Sequence, residues 1–256
     1  MGTKTKILYE DHDIIVCHKP AGIAVQSAGI GSMDMVSELK RYMKQSVGDP
    51  YLGIIHRLDQ PVEGVMVFAK TPKVAAELSK QVALPGDMIH AEEASDKIMK
   101  KIYHAEVYGH LPEMSGELKD NLVKDARTNT SYVVGMPESA DSGTAGSMRD
   151  DRDRKGREEK KKESPKFAYL TYKVLERREE TDLLEIRLFT GRHHQIRVQF
   201  SHAGYPLVGD VKYASKESTE YNQKKNIRGV LLKAVQLEFT HPGSGKRMVF
   251  SIQDSC

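Results

Sequence analysis

Hydrophobic residues along this chain alternate with polar ones or cluster in short runs, which is the pattern of β-strands buried on one or both faces. In the segment 100–109, for example, Tyr103, Ala105 and Val107 alternate with mostly polar neighbours. The pattern predicts seven strands, at residues 13–20, 64–70, 100–109, 167–176, 182–190, 229–240 and 246–252.

Helices are predicted where apolar residues are spaced by three and four and where capping residues stand at the ends. Thr71 and Pro72 form a cap followed by proline at the first helical position, and Gly204 is a typical helix end. The predicted helices span residues 32–45, 71–82 and 193–204. Many strands and few helices, in no regular alternation, predict an α+β fold: a mostly antiparallel mixed sheet with flanking helices and loops.

Composition limits the class of protein. The 256 residues include 39% hydrophobic and 29% charged side chains and carry a formal net charge of +3. This mildly basic balance permits a nucleic-acid partner without requiring one. Two cysteines, Cys17 and Cys256, suggest no disulfide framework, and neither a signal peptide nor a membrane-spanning apolar run is visible. We therefore expect a cytoplasmic monomer without membrane contact.

The segment 137–165 differs in composition from the rest of the chain. It has almost no large apolar residues, and between Arg149 and Lys166 there are nine basic and six acidic side chains. Such a stretch buries too little apolar surface to offset its ordering entropy. We predict a charged flexible insertion within a single domain covering residues 1–256; contact with an RNA backbone is the alternative interpretation.

Charged residues also stand between apolar flanks in the segment IIHRLDQPVEGVMVFAKT, residues 54–71, which contains His56, Arg57 and Asp59. One interpretation is structural, because Asp-x-Pro favours a turn in which the carboxylate accepts backbone N–H groups. The other is that the carboxylate carries chemistry. A protein-kinase interpretation fails, because leucine interrupts the His-Arg-Asp motif and no glycine-rich loop precedes it.

A second polar cluster lies in FTGRHHQIRVQFSHAGYPLVGD, residues 189–210, at the predicted start of the third helix. A helix N-terminus with arginines is suited to binding phosphate, although a solvated polar helix start is the plainer interpretation. Arg197 stands between Ile196 and Val198, which predicts partial burial and therefore a carboxylate or phosphate partner. Asp59 is a candidate for that partner.

Metal and nucleotide cofactors are not indicated by the sequence. His193 and His194 are adjacent and are expected to point in different directions on a helix, with no His-x-x-x-His spacing, cysteine pair or acidic triad nearby. No phosphate-binding glycine loop and no Gly-x-Gly-x-x-Gly motif is present.

Taken together, five segments of the chain resemble the RluA-like family of RNA pseudouridine synthases. They occur in the family's order and cover nearly the whole chain outside the charged segment: ILYEDHDIIVCHKPAGIAVQ, GIIHRLDQPVEGVMVFAKT, KKIYHAEVYG, TGRHHQIRVQFSHAGYPLVGDVKY and LLKAVQLEFTHP. The resemblance implies the pseudouridine synthase catalytic fold. It also implies isomerisation of uridines in rRNA or tRNA, with no cofactor and no metal.

The resemblance assigns three catalytic residues. Asp59 matches the family's aspartate, which attacks the ribose or the base or withdraws a ribose proton; the sequence leaves these alternatives open. Arg197 matches the arginine that pairs with this aspartate. Tyr103 matches a tyrosine that stacks on the target base, with a plain strand aromatic as the alternative.

The resemblance also implies a set of substrate-binding residues. Leu232 matches a position that packs under the uracil, although Leu231 is its neighbour on the other strand face. Arg57 is expected to serve RNA binding or displacement of the base. The remaining members of the set are His56, Arg192, His194 and Gln195.

Four positions depart from the family pattern, and so does the start of the chain. Val62-Glu63 stands where Thr-Ser is more usual, Lys233 where histidine is more usual, and His193 where Thr or Ser is common. The chain begins at the first catalytic strand, so no S4 RNA-binding domain is expected and the catalytic domain itself must hold the RNA. Two other functions are compatible with parts of the pattern: a non-catalytic RNA-binding protein on the same scaffold, and a metal-dependent RNA hydrolase.

Overall fold

A computed structural model of the protein describes residues 5–27, 34–47, 50–82, 98–135 and 164–252. The predicted insertion at 137–165 lies outside the described residues, except for its last two positions. The insertion and the single-domain organisation both stay predictions.

The described residues contain eleven strands, and all seven predicted strands are among them. In chain order the strands are β1 Lys6–Glu10, β2 Ile14–Lys19, β3 Gly53–Ile54, β4 Glu63–Ala69, β5 Lys100–Tyr108, β6 Ser115–Asp125, β7 Thr130–Val134, β8 Lys166–Arg177, β9 Thr181–Leu188, β10 Leu232–Thr240 and β11 Arg247–Ser251. The four strands that were not predicted are β1, β3, β6 and β7.

Four helices occur in the described residues, three of them predicted. They are α1 Met35–Val47, α2 Pro72–Ser79, α3 Gln195–His202 and α4 Lys216–Lys224. Thr71 caps α2 as predicted, because its side chain accepts the N–H of Val74 at 3.2 Å. None of the helices in the described ranges is long and apolar enough to cross a membrane.

The eleven strands form one sheet in the order β1-β2-β4-β10-β5-β9-β8-β6-β7, with β3 paired to β4 and β11 paired to β10. Among the described strands, β4 and β10 form the parallel pair and the other pairings are antiparallel. This arrangement is the mostly antiparallel mixed sheet that the sequence predicted. It brings β4, which follows Asp59, beside β10, and β10 in turn pairs with β5.

Hydrophobic cores lie on both faces of the sheet, because successive strand residues point to opposite sides. On β2, Ile15 and Cys17 belong to one core and Ile14 and Val16 to the other. The first core is covered by apolar residues of α1 and α3 and contains Tyr103, whereas the second is covered by α2. The face that carries Tyr103 is therefore also the face against which α3 packs.

Gly64 marks the junction at which β4 leaves β10. It is paired with Ala234 in the parallel register and has a φ of 153°. A Cβ atom at this position would overlap both the Cβ and the backbone of Ala234. The close approach of the two strands therefore requires glycine.

We expect Gly64→Ala to lower the free energy of unfolding by about 2–4 kcal/mol, because it combines backbone strain with overpacking against Ala234. Urea unfolding followed by circular dichroism measures the change. Gly135→Ala is the matched control: no atom lies within 4 Å of the added Cβ, and we expect a change within about 0.5 kcal/mol. Equal losses in the two variants would contradict the prediction.

Candidate active site

Asp59 lies in the connection between β3 and β4, at the first position of a tight turn. Its carbonyl accepts the N–H of Val62 at 3.0 Å, and its side chain is 25% exposed. The structural and chemical interpretations of this aspartate are therefore compatible. The backbone makes the turn, and the carboxylate remains accessible from solvent.

A second loop, which follows β2, holds the backbone of the Asp59 turn. The N–H of Gly22 donates to the carbonyl of Gln60 at 2.9 Å, and the side chain of Gln60 donates back to the carbonyl of Gly22 at 3.0 Å. The fully buried amine of Lys19 donates to the carbonyls of Gln60 and Val62 at 3.0 and 2.7 Å. Burial lowers the pKa of Lys19 to about 8, against the attraction of Asp59.

Arg197 connects Asp59 to a second, fully buried carboxylate. Its Nη1 donates to Oδ2 of Asp59 at 3.2 Å, and its Nε and Nη2 donate to the two oxygens of Asp210 at 2.6 and 2.8 Å. Burial would lower the pKa of Arg197, but the hydrogen bonds and charge of Asp210, with that of Asp59, outweigh burial and raise it. The predicted pairing of Arg197 with Asp59 is present in this geometry.

The turn before α3 differs from the prediction. The helix begins at Gln195 rather than at residue 193, because His194 adopts a left-handed conformation with a φ of 53°. His193 and His194 therefore precede the helix, and the expectation that they point in different directions is wrong. Their rings stack with centroids 3.7 Å apart.

His194 lies close to both members of the ion pair. Its Nε2 is 3.7 Å from Oδ2 of Asp59, and its Nδ1 is 2.7 Å from the hydroxyl of Tyr213. The ring of Tyr213 in turn lies under the guanidinium of Arg197, 5.2 Å from the carbon to the ring centroid. A compact set of side chains thus surrounds one carboxylate oxygen of Asp59.

Tyr103 lies on β5, on the sheet face against which α3 packs, and its ring is buried. Burial, together with the negative charge of Asp59, raises the pKa of its hydroxyl. The hydroxyl therefore stays protonated at neutral pH, and the ring supplies an apolar aromatic surface near the carboxylate.

Leu232 is on the same sheet face as Tyr103. It is directly opposite Ala105, and Tyr103 is the next residue of β5 on that face. Leu232 is buried in the core, whereas Leu231 is exposed. The strand register thus puts Leu232, and not Leu231, on the sheet face of Tyr103; its contact with a uracil stays a prediction.

The residues before Asp59 have different surroundings. Arg57 is exposed, and its guanidinium donates to the side-chain oxygen of Gln26 at 3.1 Å. His56 accepts the N–H of Val67 on its Nε2 at 3.4 Å, and its buried Nδ1 has no hydrogen-bond partner among the described residues. Arg57 therefore reaches solvent beside Asp59, while His56 points into the protein.

Arg192 and Gln195, both predicted to bind substrate, make internal contacts. Arg192 donates its Nε to the carbonyl of Phe167 at 2.8 Å. Gln195 is buried; its oxygen accepts the hydroxyl of Thr190 and the N–H of Arg192, and its nitrogen donates to Gln199. This geometry favours a structural role for Gln195 over direct contact with a substrate.

Two of the departures from the family pattern face each other. Lys233 and Glu63 are directly opposite in the parallel pairing of β10 with β4, and their side chains form an ion pair at 3.2 Å. His18 also contacts Glu63, at 3.0 Å. The two side chains thus balance each other's charge, and they lie at the strand junction that follows the Asp59 turn.

Four contributors to the site were not predicted: Lys19, Asp210, Tyr213 and Ser131, whose N–H donates to the hydroxyl of Tyr213. The sequence could have indicated Asp210. A buried arginine such as Arg197, whose first partner is only partly buried, needs a second anionic partner. The sequence could also have indicated Lys19, since it ends an apolar strand just before a Pro-Ala-Gly turn. Within the described residues, no group of three His, Cys, Asp or Glu side chains is arranged to hold a metal ion.

The free energy of unfolding is expected to fall as the pH decreases from about 7 to about 5, because two buried histidines are neutral in the fold. Burial, and then nearby Lys101, lowers the pKa of His56 to about 3. Burial, against the attraction of Asp59, lowers the pKa of His194 to about 4. In the unfolded chain both titrate near pH 6.5, so the unfolded state binds more protons as the pH falls below that value.

Urea unfolding at the two pH values measures this dependence. His56→Gln keeps an acceptor for the Val67 N–H and should reduce the dependence, whereas His202→Asn, an exposed position on α3, should leave it unchanged. Equal free energies of unfolding at the two pH values would show that the buried histidines do not set the acid sensitivity.

Comparison with known proteins places these features in a family. A family model described as RNA pseudouridylate synthase matches residues 13–202, a range that includes Asp59, Tyr103 and Arg197. The ribosomal large subunit pseudouridine synthase C of Buchnera aphidicola (subsp. Baizongia pistaciae) is 28% identical over 249 residues, 96% of this chain and 65% of that protein. The dual-specificity RNA pseudouridine synthase RluA of Vibrio cholerae is 28% identical over 240 residues, 93% of this chain and 78% of that protein.

Solved structures support the fold. The human protein RNA Pseudouridylate Synthase Domain Containing 4 superposes with a TM-score of 0.66 at 20% identity, over 97% of this chain and 88% of that chain. The fold and the matched segment define the chain as a member of the RNA pseudouridylate synthase family. Within that family it belongs to the RluA-like group. The chain spans about two thirds of the length of the first of the two curated relatives.

Proposed function

We propose that this chain is an RNA pseudouridine synthase in which Asp59 is the catalytic carboxylate. One observation carries the proposal: Asp59 is accessible at a turn, and Arg197, itself neutralised by buried Asp210, holds one of its oxygens. Such an arrangement orients an anionic side chain toward solvent without burying an unpaired charge.

The reaction is an isomerisation. The bond between N1 of uracil and C1′ of ribose breaks, the base turns, and C1′ joins C5; the C5 proton leaves and N1 gains a proton. Because no electrons are gained or lost overall, no redox cofactor is required. The carboxylate of Asp59 can attack C1′, attack the base or withdraw the C2′ proton, and each role requires an ionised, oriented carboxylate.

Tyr103 and Leu232 supply the surface for the base. Both belong to one core on the sheet face shared with α3, and Tyr103 is close enough to Asp59 to be affected by its charge. An aromatic ring and an aliphatic side chain can hold a uracil by stacking and apolar contact while the glycosidic bond reacts.

Arg57 is proposed to hold the displaced strand or its phosphate. A uridine within a stem must leave the stack before its sugar can meet Asp59, at a cost of about a few kcal/mol. Arg57 is exposed two residues before Asp59, and its contact with Gln26 orients it. A charge-assisted contact at this position would offset part of the cost of unstacking.

The RNA is proposed to be rRNA, with tRNA as the second candidate. The name of the Buchnera relative refers to the large ribosomal subunit. We propose further that the protein acts as a monomer in the cytoplasm, without a metal or a cofactor. Sedimentation measures the oligomeric state, and activity that survives EDTA would support the absence of a metal requirement.

Pseudouridine mapping of total RNA by carbodiimide-stop sequencing tests the function. Cells that carry the wild-type gene are compared with cells that carry Asp59→Ala. Loss of one or a few stops in the variant would support the activity, the carboxylate and the target together. No difference between the two maps, with RNA binding by the purified protein retained, would favour the non-catalytic RNA-binding protein instead.

A further inference from the structure

The hydroxyl of Tyr213 lies between the backbone of Ser131 and the ring of His194. The hydroxyl of Tyr213 accepts the N–H of Ser131 at 2.8 Å and lies 2.7 Å from Nδ1 of His194. The Tyr213 hydroxyl also has one hydrogen to donate. Among its hydrogen-bond partners in the described residues, Nδ1 of His194 is the atom that can accept it. A neutral imidazole donates from one nitrogen and accepts on the other, so a hydrogen bond donated by Tyr213 to Nδ1 puts the single proton of the ring on Nε2.

The protonated nitrogen of His194 faces the catalytic carboxylate. Nε2 lies 3.7 Å from Oδ2 of Asp59, the oxygen that also accepts Nη1 of Arg197. This separation exceeds a hydrogen-bond length, and contacts of this kind commonly shorten when a substrate is bound. His194 is buried, and its ring is fixed by stacking on His193 and by an edge contact with Tyr213.

We propose that His194 is a positioning residue for Asp59: it presents a neutral Nε2–H to Oδ2, and Tyr213 with Ser131 fixes the tautomer that does so. This inference rests on the proposed function for the role of Asp59, and it assigns to His194 a role other than substrate binding. The contact holds the carboxylate together with Arg197, so that the other oxygen is directed toward the nucleotide.

A neutral donor suits this task better than a charged one. An imidazolium beside Asp59 could pass its proton to the carboxylate and remove the charge that the reaction needs, whereas a neutral N–H orients the carboxylate without protonating it. Burial keeps His194 neutral at physiological pH, since it lowers the pKa of the ring to about 4.

Ser131 belongs to β7. The hydrogen bonds from Ser131 to Tyr213 and between Tyr213 and His194 therefore connect the β6–β7 hairpin to the active site. Its N–H donates to Tyr213, and its Oγ lies 2.9 Å from Nδ1 of His193. Lys212 adds a further link, since its amine donates to the carbonyl of Asn129 in the hairpin turn at 2.9 Å. The two histidines before α3 are thus both held by one residue of the hairpin, either directly or through Tyr213.

Nitrogen-15 NMR of the imidazoles tests the tautomer without any measurement of activity. We expect His194 to show an unprotonated Nδ1 and a protonated Nε2. The Nε2–H resonance should shift in Asp59→Asn, and the tautomer should become mixed in Tyr213→Phe. A proton on Nδ1 in the wild-type protein, or an Nε2–H resonance that is unchanged in Asp59→Asn, would overturn the proposal.

Steady-state kinetics test the positioning role. His194→Asn suits the left-handed backbone but cannot reach Asp59, and we expect its kcat to fall about 10- to 100-fold at unchanged KM. His194→Gln restores a donor at about the position of Nε2 and should recover part of the loss. His202→Asn, at an exposed position of α3 outside the site, is the control and should keep the wild-type kcat within about threefold.

The outcomes separate this inference from the proposed function. If His194→Asn keeps the wild-type kcat, or if His202→Asn loses as much as His194→Asn, the positioning role is wrong while the enzymatic activity stands. If the wild-type protein makes no pseudouridine in any RNA, the proposed function is wrong, and the NMR measurements still decide whether His194 donates to Asp59.

Discussion

Asp59→Asn is expected to lower the rate of pseudouridine formation by about a thousandfold or more while leaving the fold intact. The amide has nearly the same size as the carboxylate and can still accept a hydrogen bond from Arg197 at 3.2 Å. It cannot act as an anionic nucleophile or base, so every role proposed for Asp59 is lost. Single-turnover release of tritium from C5-labelled RNA measures the rate.

Two controls accompany this measurement. Asp11→Asn changes another turn aspartate, whose carboxylate accepts the N–H groups of Asp13 and Ile14, and it should keep the wild-type rate. RNA affinity and the circular dichroism spectrum of Asp59→Asn should match those of the wild type. If Asp59→Asn kept more than about a tenth of the rate, the carboxylate would be dispensable and the assignment of Asp59 would be wrong.

The strands that the sequence predicted are those whose burial leaves a clear pattern. On β2 and β4 both faces are covered by a core, so each is a continuous apolar run. The unpredicted β6, SGELKDNLVKD, is polar along most of its length because it lies near the edge of the sheet and is only partly buried. The helix α4, KESTEYNQK, lacks an apolar stripe, although its cap at Ser215 was a signal that could have been used.

The candidate site could be predicted only where a local pattern existed. Arg197 stands between two apolar residues, which indicated burial and hence an anionic partner, and the geometry places Asp59 138 residues away as one such partner. Tyr213 and Ser131 gave no such signal. Tyr213 matters through its contact with His194, and Ser131 through its contact with Tyr213; both depend on how β7 and α3 pack together.

The same limitation explains the error at the start of α3. The pattern of polar and apolar residues from 193 to 204 fits a helix, and nothing in it reveals that His194 would adopt a positive φ. Tertiary contacts decide the matter: the ring of His194 is held between His193 and Tyr213, and its Nδ1 is bonded to the Tyr213 hydroxyl. Helix propensity in the first turn is too weak to override such contacts.

Asp210→Asn is expected to destabilise the protein by about 3 kcal/mol or more, because it leaves the guanidinium of Arg197 buried beside a neutral group. Asp210 is fully buried and bonds Arg197 through both oxygens, and it also accepts the N–H of Lys212 at 2.8 Å. The asparagine oxygen can still accept the N–H of Lys212, but its amide nitrogen cannot accept the Nε–H of Arg197, so the loss reports on the charge and on one hydrogen bond. Urea unfolding at pH 7 measures it.

A double variant separates the charge from the packing. Arg197→Met combined with Asp210→Asn removes the uncompensated cation and should recover more than half of the lost free energy of unfolding, since breaking a buried pair costs more than replacing it. The same double variant should remain inactive, because Asp59 loses the partner that holds its oxygen. Glu77→Gln, which breaks an exposed ion pair with Lys80, is the control and should change stability by less than about 0.5 kcal/mol.

These measurements distinguish the catalytic role proposed for Asp59 from the structural role of Asp210, although both carboxylates bind Arg197. Asp59 is partly exposed and should affect rate far more than stability, whereas Asp210 is buried and should affect both. A loss of less than about 1 kcal/mol in Asp210→Asn would mean that Arg197 does not need this counter-charge. In that case Asp59 would have to neutralise Arg197 alone, and Asp59→Asn should then be the more destabilising of the two substitutions.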